Sequence, residues 1–250
     1  EMHRRWFESH LNKFNLEYKN RSDEFHGLSI AGPKSREVLQ KVVREDVSNS
    51  KFKFRDSRRM YVAGVPVIIN RISFTGELGY EIYVAPHFQI KLYEELTKAG
   101  KEFNIKPFGA RALMSMRLEK NWGAWTLDYR PDFTAKETGL DFFINWEKDF
   151  IGKDYAQKDE SKNKLVPLIL ETNDIDVTFN EAVLKGDKSI GYITSGGFAH
   201  FVNKSVAFSY INQNEIKTEQ GIQVEINGDL FNCSIIEEPL YDPSGKRMRS

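Results

Sequence analysis

The chain has 250 residues, enough for one large domain or two smaller ones with a substantial core. Thirty-six basic residues balance thirty-six acidic ones, which excludes a generic polyanion binder though not a local basic pocket. The one cysteine, Cys233, excludes an internal disulfide framework and a cysteine-based metal cluster, and fits a reducing compartment; the longest apolar runs, "VPVIIN" and "LVPLIL", are strand-length.

Met2, Trp6, Phe7, Leu11 and Phe14 recur at helical spacing and predict an amphipathic opening helix. The opening "EMHRRWFESHLNKF" has no signal-peptide core and starts as though already inside a helix, so a piece of a longer chain is expected. "NLEYKN" and "HGLSIAG" read as strands around the turn "RSDEF". Pro33 after Gly32 starts a helix with the stripe Val38, Leu39, Val42 and Val43. Met60 to Asn70 alternates as a single strand, leading into a hairpin, "RISFTGELGYEIYV", at residues 71–84. Ile90, Leu92, Tyr93 and Leu96 predict a helix closed by Gly100. After Pro107 comes the helical stretch "FGARALMSMRLEKN" and then the loop "WGAWTLDYRPDF".

Beyond residue 160 the pattern becomes strand-like: "KLVPLILE", "EAVLKGDKSIGYITSGG", "KSVAFSYIN" and "GIQVEINGDLFNCSIIEEP". Lys-Gly-Asp and Asn-Gly mark turns, the latter a strong two-residue hairpin signal. Strands at this spacing without helices between them predict a small barrel or sandwich. The expected class is α+β, with an α+β portion at residues 1–160 and a β-rich portion at 161–250.

Glycine-rich nucleotide motifs, zinc-protease motifs and hydrolase elbows are missing, and the five histidines have no metal-ligand spacing, so no metal is expected. Glu81 is the residue that needs explaining. With a turn at 75–79, Phe74 faces Tyr80 and Ser73 faces Glu81; Tyr80, Ile82 and Val84 share one side, and Arg71, Ser73, Glu81 and Tyr83 the other. One reading is a diagonal Arg71–Glu81 pair on a solvated face. The other is a carboxylate on a rigid strand that accepts paired N–H donors, such as an aminopyrimidine edge or a guanidinium. Arg111 lies in the first turn of its helix, where the dipole disfavours a cation, so a fixed anion is expected: either a protein carboxylate or a ligand. Trp122, Trp125 and Tyr129 belong either to the core or to a flat wall for a ring system. "TSGGF", residues 194–198, is a glycine-marked strand end or a bulge, and the tail "SGKRMRS" reads as a solvated, frayed end.

Taken together, these motifs resemble the folate-binding aminomethyltransferase family: the T-protein of the glycine cleavage system and its relatives, including the C-terminal region of dimethylglycine and sarcosine dehydrogenases. "LSIAGPKSREVLQKV", "ISFTGELGYEIYV", "FGARALMSMRLEKNWGAW", "ETGLDFFI", "FIGKD", "GYITSGGFAHFVNKSVAFSYI" and "IIEEPLYDP" carry the resemblance in order over nearly the whole chain. It implies a clover-leaf of two interleaved α+β lobes and a C-terminal β-barrel, with tetrahydrofolate in a central opening. By residue, it places the pterin-binding carboxylate at Glu81, an aromatic beside the folate at Phe74, and the substrate-binding arginine at Arg111. Several relatives have tyrosine at Phe74, so that phenolic contact is lost here; Thr126 and Ala135 replace a usual glycine and proline.

The family's proposed catalytic aspartate aligns before residue 1, so no catalytic residue is assigned. The resemblance implies a one-carbon transfer module of an FAD-dependent N-methyl amine dehydrogenase, giving 5,10-methylenetetrahydrofolate. FAD would sit in an N-terminal domain outside this chain, and the partners would be folate, a small N-methyl amine and that missing segment, with no nucleic acid or membrane. The alternatives are a stand-alone aminomethyl- or methyltransferase of the same fold and a non-catalytic regulatory homologue. Residue usage rich in Lys, Asn, Ile and Phe points to a bacterial cytoplasm, with the mitochondrial matrix as the alternative.

Overall fold

The computed structural model describes residues 2–11, 13–158, 160–216 and 221–250. The chain divides into two compact units that interleave in sequence: one of Glu1–Ile72 and Leu78–Ile105, the other of Ser73–Glu77 and Lys106–Ser250.

The first unit contains α1 (Met2–Leu11), β1 (His26–Ala31), α2 (Ser35–Val42), β2 (Ser57–Val62), β3 (Val65–Asn70), β4 (Gly79–Val84) and α3 (Gln89–Gly100). Its sheet has the order β1-β4-β3-β2, antiparallel throughout. Alternation along β4 buries Tyr80, Ile82 and Val84. These pack in one cluster with Val38 and Leu39 of α2 and Leu92 and Leu96 of α3. Each helix therefore covers the same face of the sheet with the inner half of its apolar stripe, while Ile90 and Tyr93 of α3 stay exposed.

Several local expectations change. Met60 to Asn70 is not one strand but the hairpin β2–β3, turned at Ala63 (φ 48°) and Gly64 (φ 80°). Two successive positive φ angles make the tight turn that matches strand twist, although alanine tolerates the first poorly. "NLEYKN" forms no strand. Helix α1 forms, but its stripe finds no core: Met2, Trp6, Phe7 and Phe14 are exposed.

The second unit contains α4 (Ala110–Glu119), α5 (Lys153–Gln157), β5 (Asn163–Leu170), β6 (Ala182–Lys185), β7 (Lys188–Ala199), β8 (Lys204–Asn212), α6 (Gln213–Ile216), β9 (Ile222–Ile226), β10 (Asp229–Ile235) and α7 (Lys246–Arg249). The six strands close into a barrel, β10-β5-β8-β7-β6-β9, so no sheet edge is left open. Asn227 and Gly228, both at positive φ, turn β9 into β10, as the Asn-Gly pair requires. Strand β8 is buried on both sides. Ala207 and Ile211 point into the barrel, and Val206, Phe208 and Tyr210 join Leu118 of α4 in a second cluster. The α+β class and the C-terminal barrel are thus as expected. Among the described residues no helix is long and apolar enough to cross a membrane.

Candidate functional site

Strand β4 presents Glu81 and Tyr83 on the face turned away from the helices, and both are partly exposed. Glu81 lies opposite Ser29 on β1 and Asn70 on β3. The expected register was wrong: β3 ends at Asn70, β4 begins at Gly79, and Ser73 and Phe74 are not strand residues. Arg71 does not pair with Glu81. Its side chain is fully buried, and Nη1 donates to Asn49 Oδ1 at 2.6 Å and to the Phe52 carbonyl at 2.5 Å. The turn fails to form because Arg71 is drawn into the core and the next segment, Ser73–Glu77, is packed with the second unit.

Tyr83 holds Glu81. Its hydroxyl donates to Glu81 Oε2 at 2.7 Å, and this bond to a carboxylate, with burial second, pushes the Tyr83 pKa above the ordinary tyrosine value. Glu81 Oε1 makes no hydrogen bond among the described residues. A carboxylate oxygen has two acceptor sites, so both oxygens can still receive a donor from a ligand. The side chain is fixed at one oxygen and open at the other.

The remaining candidates lie in the second unit. Phe74 is half-buried and stacks on Trp122, with ring centroids 6.5 Å apart and planes 25° apart. Trp125, 69% exposed, meets Tyr129 edge to face at 5.7 Å. The Tyr129 hydroxyl accepts the Gly123 N–H at 3.2 Å, and burial raises its pKa. Arg111 is in the first turn of α4 and forms an ion pair with Asp176, which supplies the compensating anion. Its side chain is 81% exposed, and only one of its donors is engaged by that pair. The structure thus brings Phe74 to Trp122 and Trp125 to Tyr129, and it places Glu81 in the other unit.

Sequence reading passed over Asp128, which organises the loop after α4. Arg117 and Asp128 are both completely buried and paired at 2.7 Å. Asp128 Oδ2 also accepts the Ala124 N–H at 2.8 Å, while Oδ1 accepts the hydroxyls of Thr194 at 2.5 Å and Ser195 at 2.7 Å. Consecutive strand residues normally point to opposite faces, but the register shift between Ile193 and Ser195 lets both hydroxyls reach one oxygen. "TSGGF" is accordingly a bulge in mid-strand rather than a strand end. Gly196 is required there because a Cβ would lie 2.4 Å from the Val177 carbonyl oxygen. The pairing of "TS" with "GG" inside a strand was the available signal.

The C-terminal tail is not frayed. Asp242 accepts the N–H groups of Lys246 and Arg247 at 3.2 and 3.0 Å, starting α7, and Met248 is buried. Arg247 and the Tyr241 hydroxyl both donate to Glu77 Oε1.

Comparison with known proteins gives this geometry a context. Residues 1–148 match the family described as the GCVT N-terminal domain, and residues 163–242 match the Glycine cleavage T-protein C-terminal barrel domain. The mitochondrial dimethylglycine dehydrogenase of Homo sapiens is 38% identical over 98% of this chain and 29% of its own length. The aminomethyltransferase of Caldanaerobacter subterraneus is 32% identical over 97% of this chain and 66% of its own length. The chain therefore spans about three tenths of the first relative and two thirds of the second. The crystal structure of glycine cleavage system aminomethyltransferase T from Bartonella henselae shares the fold, with a TM-score of 0.75 and 23% identity over 88% of this chain and 60% of that one. The cytoplasmic expectation is overturned. The human, rat and mouse dimethylglycine dehydrogenases among the most similar relatives are mitochondrial, which favours the mitochondrion, and residue usage was a poor guide because it reflects genome composition, not address. The first match alone spans more than half of the chain, and the chain belongs to the glycine cleavage T-protein family, as an aminomethyltransferase-type domain.

Proposed function

We propose that this domain binds tetrahydrofolate and positions it for one-carbon transfer from an aminomethyl or N-methyl amine. The observation that carries the reading is Glu81: a carboxylate on the uncovered face of a rigid strand, anchored at Oε2 and open at Oε1. That donor set fits the group. An ionised carboxylate accepts two parallel N–H bonds, as an aminopyrimidine edge supplies, and such charge-assisted pairs fix orientation. In the second unit, the stacked Phe74 and Trp122 offer flat apolar surface of the kind a ring system packs on. Arg111 has donors left after its bond to Asp176 and suits the carboxylate of an amino-acid substrate.

Bound tetrahydrofolate would supply the amine nitrogen that takes up the carbon. The chain's own share is orientation: Tyr83 fixes Glu81, and Glu81 would fix the ring. No residue of the chain is assigned the proton transfer. Replacing Glu81 by Ala is expected to weaken tetrahydrofolate binding to the full-length protein by about 1.5–3 kcal/mol, read by calorimetry. Unchanged affinity would sink the assignment.

A second reading places the domain in an FAD-dependent N-methyl amine dehydrogenase of dimethylglycine or sarcosine type, in a mitochondrial setting. Its support is the 38% identity with mitochondrial dimethylglycine dehydrogenase against 32% with the bacterial aminomethyltransferase, over nearly the same span. The flavin would belong to the rest of that longer protein. Flavin absorbance in the purified full-length protein, bleached by dimethylglycine or sarcosine, is the expected result. A flavin-free protein that still transfers an aminomethyl carbon would leave the stand-alone transferase.

A further inference from the structure

Lys120 follows the last residue of α4 and is 3% exposed, an unusual state for an ammonium group. Its Nζ donates to the carbonyls of Tyr241 at 3.0 Å and Asp242 at 2.6 Å. It also lies 5.7 Å from the centroid of the Trp122 ring. The methylene chain lies over Gly76. A Cβ there would come within 2.4 Å of Lys120 Cδ and 2.6 Å of Cγ, and the φ of 86° suits glycine alone.

Gly76 sits in the segment Ser73–Glu77, which is also held by its own hydroxyls and by its last residue. The Gly76 N–H donates to Ser73 Oγ at 3.0 Å and the Glu77 N–H to Thr75 Oγ1 at 3.2 Å. Glu77 takes the bonds from Tyr241 and Arg247. Phe74 makes no part of these anchors; its ring rests on Trp122. One lysine thus touches the loop that carries Phe74, the indole on which Phe74 stacks, and the C-terminal strap at Tyr241 and Asp242. Burial lowers its pKa, the mark of a cation held by geometry at a desolvation cost.

We propose that Lys120 is a positioning residue for the folate ring, setting the plane of Phe74 by clamping Gly76 and Trp122 together. The inference rests on the reading of Phe74 as a folate-facing aromatic, and the test separates the two. Anaerobic tetrahydrofolate binding to the full-length protein would be measured for Phe74→Ala, Lys120→Met and the double variant. Methionine keeps the chain over Gly76 and removes the ammonium. Lys120→Met, which removes both bonds to the Tyr241 and Asp242 carbonyls, is expected to weaken binding about fivefold. The double variant is expected to bind no more weakly than Phe74→Ala alone, because Lys120 acts through that ring.

A merely structural lysine would give fold-changes that multiply in the double variant, and that result overturns the inference. Weakened binding in Phe74→Ala with none in Lys120→Met also overturns it, leaving the folate reading intact. Unchanged binding in Phe74→Ala would instead remove the folate role of Phe74, and the inference with it. Should Lys120→Met lose its native melt, Lys120→Gln, which keeps a side chain over Gly76 and also removes the ammonium, takes its place in the cycle with the same criteria.

Discussion

The four-stranded sheet and the six-stranded barrel treat their strands differently. In the sheet, α2 and α3 cover one face, and β4 leaves Glu81 and Tyr83 on the other, where water meets the cost of their charge and polarity. In the barrel unit, β8 is covered on both sides, so every polar group near it needs a protein partner. The fully buried arginines Arg71 and Arg117 differ in another way. Arg71, in the sheet unit, donates to the neutral oxygens of Asn49 and Phe52, whereas Arg117 faces an equally buried carboxylate that also collects two hydroxyls and an N–H. A half-covered strand can offer a carboxylate to a ligand, while Asp128, on the loop bonded to β7 of the barrel, commits its carboxylate to holding that loop in place.

The largest expected effect tests that commitment. Asp128→Ala leaves Arg117 buried without its partner and should cost about 3–5 kcal/mol in chemical denaturation. The apolar pair Arg117→Met with Asp128→Leu should cost less than the single change, since it leaves no buried charge unpaired, the remaining cost being the Ala124, Thr194 and Ser195 donors that lose their acceptor. An equal cost would mean the pair contributes more than mutual compensation.

On the sheet side, Tyr83→Phe removes the bond to Glu81 and should weaken folate binding by about 0.5–1.5 kcal/mol, with stability little changed because the face is open to water. A large loss of stability with no change in binding would reverse the contrast between the two units. Smaller still, Ala63→Gly relieves the positive φ in the β2–β3 turn and should raise the unfolding free energy in chemical denaturation by about 0.5–1 kcal/mol.

The subtlest test is pH. Glu119 is buried, its Oε1 accepts the Phe201 N–H at 2.7 Å, and burial raises its pKa above 4.5 despite that bond and the nearby His200. A carboxyl whose pKa is raised in the folded state favours folding below its unfolded value, and that contribution is lost as pH rises through the folded value. Wild type should therefore lose ground to Glu119→Gln as pH climbs from about 4.5 upward, with the difference levelling off once the folded carboxyl is ionised. Urea midpoints across that range check it, and a difference independent of pH would mean the carboxyl titrates as it does in water.

Alternation and turn chemistry were enough to locate β4, both strands flanking Asn227–Gly228, α2 with Val38 and Leu39, and the start of α4 after Pro107. These are local properties: side-chain period, positive φ at Asn-Gly, and proline's fixed φ act within a few residues. The register around Glu81 was not legible, because the segment Ser73–Glu77 is held by Lys120, Tyr241 and Arg247, residues 44 to 170 positions away from their contacts along the chain. The opening helix shows the opposite failure: its apolar spacing is real, but Trp6 and Phe7 stay more than half exposed.

The sequence by itself determined which residues are apolar, where the chain turns, and that Glu81 is an acid on a strand. Only the tertiary structure decided that Arg71 goes into the core, that Tyr83 rather than Arg71 partners Glu81, and that Asp128 joins Arg117, Thr194 and Ser195. The reason is that partners for buried charge are chosen by three-dimensional packing. The desolvation cost that selects them depends on what surrounds a group in space and leaves no periodic trace along the chain.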